Sequence, residues 1–544
     1  MRTRDEVSDD KLRGGFYSPD LLVNLCIERV GALLGERRRL RMLEPSAGDG
    51  AFIRGLSRSR LAQQLEHVEA VELLGSEANK AARALAESGL PGRVVNENVL
   101  RWSDGARDDF DLLLANPPYV RFQFISEEDK QRAKSISVAL GVTGTSVSNL
   151  WIPVFLLSIA KLRDGGAFSI ILPTEFLTGI SASVVRNWLI ANTTDVTIDL
   201  FKPGSFPSVL QEVLILSGRV MGGTRKHGSA ITFHDHNGGT RTWSHTVKMG
   251  VGTWTHYLLT PEQNGAFETA RSLAQVSRLG NIARFSVSTV TGANGYFCID
   301  DARAEMYSLR EWTIPLLPRS RHASGLTFAK DEHEELVAAG QPAWLVDFSA
   351  SKPPPERYMR PQRFLQRGID LGIDQRYKCR VRTPWYRVPV VQPGDLLLSK
   401  RSNRFPRVIA NHAGVVTTDT IYRGNMLPGA PESADDFAAA FHNSLTMLSA
   451  EVEGRSFGGG VLELVPSEVN ALMVAVAPGA DEDLVRLDGI SRTAHDPEAL
   501  IEATDEMLSK RVAELTPELL HELRDARQTL MDRRLQRTQS NFYD

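Results

Sequence analysis

Leu40-Arg41-Met42-Leu43-Glu44-Pro45-Ser46-Ala47-Gly48-Asp49-Gly50 passes from an apolar strand into a loop of small residues, and from Ala51 the chain reads as helical. Strand, glycine turn and helix in that order open a doubly wound α/β sheet, whose ligands sit beyond the carboxyl ends of the strands. Gly48 and Gly50 let the backbone approach a ligand closely. Glu44 disfavours a phosphate and suits a cationic group. The Gly-x-Gly-x-x-Gly spacing of a dinucleotide site is absent. A ligand with an ammonium, a sulfonium and a nucleoside fits better, which points to S-adenosylmethionine.

Downstream, His67-Val68-Glu69-Ala70-Val71-Glu72 is a second strand ending in an acid 22 residues after Gly50. A carboxylate there can accept hydrogen bonds from both hydroxyls of a ribose. Leu73, beside it, can pack on an adenine ring. A third strand, Arg93 to Asn98, leads into Val99-Leu100. The fourth, Phe110-Asp111-Leu112-Leu113-Leu114-Ala115, closes on Asn116-Pro117-Pro118-Tyr119. Prolines fix φ and donate no hydrogen bond, so the carbonyls beside them point in a stiff direction. Two acceptors, the Asn116 side-chain oxygen and the Pro117 carbonyl, beside the flat face of Tyr119, suit the exocyclic amino group of a planar heterocycle.

Asn116-Pro117-Pro118-Tyr119 resembles the catalytic signature of adenine-N6 DNA methyltransferases. Upstream, Gly15-Phe16-Tyr17-Ser18-Pro19 precedes an amphipathic helix with Leu21, Leu22, Leu25, Ile27 and Val30. Ser18-Pro19 reads as its N-cap, with proline at the first position. The resemblance adds a second role, in which Tyr17 and Ser18 close over the methionine end of the cofactor. Lid, glycine loop, Pro-Pro motif and a long C-terminal region, in that order, are similar to the gamma class of site-specific, restriction-modification enzymes. The resemblance covers roughly residues 12–220 by motif. It implies cofactor contacts from Glu44, Ser46, Ala47, Gly48, Glu72, Leu73, Asn98, Val99 and Asn116. Asn98 departs from the family, which carries an Asp there to read the cofactor's adenine amino group. The resemblance also sets Phe206 against the target base, opposite Tyr119.

The sheet continues with strands Ala167–Leu172 and Val196–Phe201, and Val213–Leu216 is expected to be its last. A helix is expected to run from Asn149 through Leu162, with Asp164-Gly165-Gly166 ending it. The fold class is therefore α/β, a seven-stranded S-adenosylmethionine-dependent methyltransferase sheet followed by a mixed α/β target-recognition domain. Expected divisions are a catalytic domain over 1–225, a connecting segment over 226–285, target recognition over 286–480 and a helical segment over 481–544. Within the third, Ser456-Phe457-Gly458-Gly459-Gly460-Val461-Leu462-Glu463-Leu464 resembles a segment of the family's target-recognition region and also reads as a glycine turn before a strand.

A chain of 544 residues holds at least two domains. No apolar run has the length of a membrane span and the N-terminus lacks a secretory core, so a cytoplasmic protein is expected. The three cysteines, Cys26, Cys298 and Cys379, are isolated and offer neither disulfides nor a zinc site, so no metal is expected. Net charge is −3, yet Lys352 to Arg407 holds fourteen basic residues against four acids, a local charge of +10. Tyr358, Phe364, Tyr377, Trp385, Tyr386 and Phe405 are interleaved with them. Arginine-rich sequence with aromatics is the composition of a nucleic-acid surface, with Lys400, Arg401 and Arg404 the expected phosphate contacts. The expected partner is double-stranded DNA, bound by a monomer. A cognate restriction endonuclease encoded nearby would act without a stable complex. The same chemistry can also serve a glutamine amide in protein or a guanine in RNA, and an inactive DNA-binding module is the alternative of a different class.

Overall fold

The computed structural model describes residues 18–143, 147–178, 180–202, 205, 212–222, 229–250, 252–457 and 460–539. Tyr17 and Phe206, both expected in the site, lie outside them. The chain divides into two compact units, one running through Pro261 and the other from Glu262 to Thr538. The division falls inside the segment 226–285 expected to connect two domains.

All seven expected strands form: β1 (Leu40–Glu44), β2 (Leu65–Glu72), β3 (Gly92–Asn96), β4 (Phe110–Ala115), β5 (Leu162–Pro173), β6 (Thr193–Leu200) and β7 (Val213–Val220). They lie in the order β3-β2-β1-β4-β5-β7-β6. The first five are parallel, and β7 runs antiparallel between β5 and β6. Every residue of β4 is buried, as a central parallel strand covered on both faces requires. Reversing the order about β1 and β4 brings the carboxyl ends of β1, β2 and β4 together, where such a sheet holds its ligand.

The structure corrects three expectations. Val213–Val220 is not its last strand, because a hairpin of β8 (Ser229–Asp235) and β9 (Arg241–Val247) extends it to nine. β8 is buried at every second residue, a half-covered edge pattern that is weaker in sequence than a fully apolar run. Asp164-Gly165-Gly166 does not end a helix. The helix stops at Ala160, and the three residues form a bulge inside β5, where Phe110 pairs with Leu162 but Leu112 pairs with Ala167. Gly165, at φ 74°, supplies the left-handed residue that bulge needs. Finally, in the first helix, Asp20–Leu34, Leu21 faces outward while Val23 and Cys26 join the core.

A partly buried ion pair binds the hairpin side of the sheet to that helix. Asp199 of β6 is fully buried and accepts from Arg29 Nε at 2.9 Å and from His236 Nε2 at 2.8 Å. The second unit is mixed α/β, with two four-stranded sheets, one three-stranded and one two-stranded. It ends in the helices Glu498–Arg511 and Pro517–Gln539. No helix among the described residues is long and apolar enough to cross a membrane.

Candidate active site

The glycine loop is fastened to the second strand by the acid that sequence singles out. Glu72 Oε2 accepts from the Gly48 amide and Oε1 from the Leu74 amide, both at 2.9 Å. The Ala47 amide adds a bond to the Val71 carbonyl at 2.9 Å. Each carboxylate oxygen keeps a second acceptor position, so Glu72 can shape the loop and still take ribose hydroxyls. Gly48 adopts φ 53°, and a Cβ there would meet nothing within 4 Å, so its open face leaves room for a ligand. Gly50, at φ 85°, is held by packing instead, since a Cβ would lie 3.1 Å from the Ala81 backbone.

Glu44 ends β1 beneath this loop and is 1 % exposed. Burial pushes its carboxyl well above the usual carboxylate range; Asp49 and Glu72 add to the rise, and Arg54 opposes it. Among the described residues its Oε2 has no hydrogen-bond partner. An unpartnered buried carboxylate beside an open glycine face calls for a cation. The ammonium and sulfonium of S-adenosylmethionine meet that requirement, so these residues fit the group. Leu73 is 62 % exposed at the rim, available as a flat apolar contact.

The loop Asn116–Tyr119 is tied to the glycine loop by Ser46, whose hydroxyl donates to the Asn116 carbonyl at 2.9 Å. The Asn116 amide is held from two sides. Its Nδ2 donates to Ser18 Oγ at 3.1 Å, and the Tyr119 hydroxyl donates toward its Oδ1 at 3.0 Å. The same hydroxyl lies 2.9 Å from the Ile171 carbonyl, so one proton serves two acceptors. Turning the amide over resolves this competition: Nδ2 would donate to the Tyr119 oxygen, the hydroxyl to Ile171, and Ser18 to Oδ1. In either orientation Asn116 is gripped by Ser18 and Tyr119. Among the described residues the Pro117 carbonyl accepts no hydrogen bond.

Two of these positions differ from their reading in sequence. Ser18 is not a side-chain cap: Pro19 holds the N-cap position without a capping bond, and the Ser18 side chain meets Asn116. Tyr119, expected to offer its ring face, is 8 % exposed and packs in the core of the unit. Burial keeps its phenol protonated well beyond the usual tyrosine range.

Asn98 caps the helix Val99–Trp102 by accepting from the Leu100 amide at 3.0 Å, which also fixes Val99 at the first helical position. Its Nδ2 donates to Asp129 Oδ1 at 2.8 Å. Asp129, from the helix Glu127–Ala139, thus brings a carboxylate to the point where the family's Asp is missing. Asn96 is a second residue that sequence reasoning missed, holding the Glu72 and Leu73 carbonyls at 2.8 and 3.0 Å. Nothing in a single sequence marks Asp129, which lies 31 residues from its partner.

In the second unit the three expected phosphate contacts have acidic neighbours. Lys400 Nζ and Arg401 Nη2 lie 3.5 and 3.0 Å from the same oxygen of Glu463, and Arg404 lies 4.0 Å from Glu498. Of the interleaved aromatics, Phe364, Tyr386 and Phe405 are buried.

The chain is similar to known proteins along most of its length. Residues 62–205 match the Eco57I restriction-modification methylase family model, and residues 251–509 match that of the C-terminal domain of Type II methyltransferase M.Eco57I. Type II methyltransferase M.AccI of Acinetobacter calcoaceticus is 23 % identical over 474 residues, 81 % of this chain and 82 % of the relative. Type II methyltransferase M.XamI of Xanthomonas campestris pv. amaranthicola is 24 % identical over 489 residues, 85 % of each. Among solved structures, a cryo-EM DrdV–DNA complex is similar at TM-score 0.49 and 12 % identity, covering 90 % of this chain and 60 % of that one. The type IIG restriction endonuclease BpuSI is similar at TM-score 0.43 and 15 % identity, covering 97 % of this chain and 67 % of that one. The family models matched in both units, and the relatives aligned over more than four-fifths of their length, support a restriction-modification DNA methyltransferase.

Proposed function

We propose that this DNA methyltransferase acts on the exocyclic amino nitrogen of adenine in a specific duplex sequence, with S-adenosylmethionine as donor, as the modification enzyme of a restriction-modification system. The observation that carries the reading is the Asn116 amide, gripped by Ser18 and Tyr119 and joined through Ser46 to the glycine loop. Glu44 would face the cofactor's cationic end, Glu72 its ribose, and Leu73 with the Asn98–Asp129 pair its adenine. When bound, the cofactor supplies an electrophilic methyl group.

Adenine's amino nitrogen is a poor nucleophile because its lone pair is delocalised into the ring. Asn116 Oδ1 and the Pro117 carbonyl accept its two hydrogens, drawing the nitrogen toward sp³ geometry and aiming the lone pair away from the ring. The cofactor's methyl would pass to that nitrogen as its bond to sulfur breaks, and the surplus amino proton would leave to solvent. Positioning and electrostatics perform this work, with no strong base and no covalent enzyme intermediate.

The target nitrogen is unreachable inside a duplex, so the adenine is flipped out. The base stacks on Tyr119 only once that ring, 8 % exposed here, is uncovered. By resemblance, Phe206 faces the base from the other side and Tyr17 closes over the cofactor with Ser18. Similarity to DNA methyltransferases favours this substrate over a glutamine amide or an RNA guanine. The test is transfer of labelled methyl groups to duplex DNA, followed by digestion to nucleosides. N6-methyladenine is the expected product. Label in cytosine, or in protein or RNA alone, would overturn the reading.

A further inference from the structure

The basic segment Lys352–Arg407 splits into two halves that differ in what their cations touch. In the first half, the helix Met359–Asp370 buries Pro361, Phe364, Leu365 and Gly368. Arg360, Arg363 and Arg367 leave it on one flank, within about 60° of each other and along about 10 Å of axis. All three are exposed. Arg360 donates to the Ser308 hydroxyl at 3.3 Å, and among the described residues no carboxylate lies within ion-pair distance of Arg363 or Arg367.

The short helix Tyr377–Arg380 follows. Lys378 Nζ and Arg380 Cζ lie 5.7 and 5.6 Å from the centre of the Tyr377 ring, which is 65 % exposed. Both helices pack on one short stretch, residues 291–297. Phe364 stacks on Tyr296 at 4.4 Å, and Cys379 Sγ lies 3.8 Å from the Thr291 carbonyl.

A second observation is independent of charge. Of the thirteen large apolar or aromatic side chains exposed among the described residues, six lie between 358 and 381: Tyr358, Met359, Ile369, Leu371, Tyr377 and Val381. A face that only meets water intersperses its cations with acids and keeps large apolar groups covered. Between 358 and 381 six basic residues outnumber two acids, Asp370 and Asp374, and six large apolar or aromatic groups are left uncovered. The second half behaves differently, with Lys400 and Arg401 beside Glu463 and Arg404 facing Glu498.

We propose that Arg360, Arg363 and Arg367, with the Tyr377–Arg380 turn, form the surface that grips the phosphate backbone of duplex DNA, and that the Lys400–Arg404 cluster is not its main contact. The proposal rests on the DNA-methyltransferase reading and deepens it. Guanidinium groups present planar donor forks that match phosphate oxygens, and three along one flank can follow a strand. Such contacts carry affinity and salt dependence, not sequence choice.

The test measures binding of a labelled, short random-sequence duplex by the full chain across a salt series. The double variant Arg363→Ala/Arg367→Ala should reduce the slope of log affinity against log salt by about 1.8, roughly 0.9 for each phosphate that is no longer neutralised. Arg363→Lys/Arg367→Lys should keep the slope, which separates charge from damage to the helix. S-adenosylmethionine affinity and melting temperature report folding in each case. An unchanged slope in the alanine variant, with wild type still binding and methylating DNA, overturns this inference and leaves the functional reading standing. A loss of affinity confined to one base position at constant slope would make the arginines base readers and also overturn it. A wild-type chain that neither binds nor methylates DNA would overturn both.

Discussion

The loop Asn116–Tyr119 and the segment Lys352–Arg407 are both conspicuous in sequence, and the structure treats them in opposite ways. In the loop, residue type and local chain direction already dictate most of the role. The prolines stiffen the backbone, the strand end directs it, and Asn116 meets partners at Ser46, Ser18 and Tyr119. In the basic segment, fourteen like residues come to different ends. Arg382 donates to the Val290 and Thr291 carbonyls and Arg407 to those of Ala323 and Ser324, so both brace the backbone. Lys400 and Arg401 sit beside Glu463, while Arg363 and Arg367 meet no acid among the described residues. A motif that works through its own backbone can be read locally, whereas a charge acquires its role only from its neighbours.

The sharpest way to break the comparison is at Asn116. Asn116→Ala should lower methyl transfer at least about a hundredfold, the scale of removing one preorganised electrostatic interaction. Cofactor affinity should stay within several-fold by calorimetry, and an equal fall in both would make Asn116 a binding residue instead.

Next in size is Glu72→Ala, which removes the acceptor for two backbone amides and, in the proposed function, for the ribose. S-adenosylmethionine affinity should fall by about 1.5–3 kcal/mol, as for hydrogen bonds to a charged group. Unchanged affinity with the fold intact would move the ribose contact elsewhere.

Tyr119→Phe sharpens the account of the loop. Sequence alone suggests a mild effect, because only the ring face is considered. The hydroxyl grips Asn116, so its removal should cost about 0.5–1.5 kcal/mol, a few-fold to about tenfold in kcat. KM for the cofactor should hold. Tyr119→Ala, which also removes the ring, should be more severe, and equal rates in the two variants would end the stacking role.

Glu44 makes the cofactor side pH-dependent. Burial raises its carboxyl well above the usual range, with Asp49 and Glu72 adding to the rise and Arg54 opposing it. The folded chain therefore keeps a proton that the unfolded chain loses, and stability falls as pH rises from the usual carboxylate range to the raised pKa. A bound cation favours the ionised form, so cofactor affinity should increase with pH and binding should release a proton. Calorimetry in two buffers of different ionisation enthalpy measures that proton, and Glu44→Gln should abolish its release and flatten the profile.

The smallest effect is expected in the second half of the basic segment. Lys400→Ala/Arg401→Ala should change the salt slope for DNA by clearly less than the roughly 1.8 that two phosphate contacts would give, because Glu463 already faces both cations. A full reduction in salt-titrated binding would restore them as phosphate contacts.

Much of the first unit is legible because its signals are short-range. Apolar runs of strand length, a glycine loop and a proline-stiffened strand end are each complete within about ten residues. The hairpin Ser229–Val247 is hard to see because an edge strand covered on one face shows only alternation. Asp129 beside Asn98 is invisible because no local pattern announces a partner 31 residues away.

Sequence by itself determined the seven-stranded order of elements, the glycine loop with Glu44 and Glu72, and Asn116 at the strand end. Periodicity and backbone restriction act along the chain and need no partner to be read. Tertiary structure alone decided that Ser18 grips Asn116 instead of capping its helix, and that Tyr119 turns its ring inward and its hydroxyl to Asn116. It alone decided, too, which arginines of the basic segment face an acid and which face water. Each of these depends on contacts between residues far apart in the chain, and those exist only once the sheet and its helices have packed.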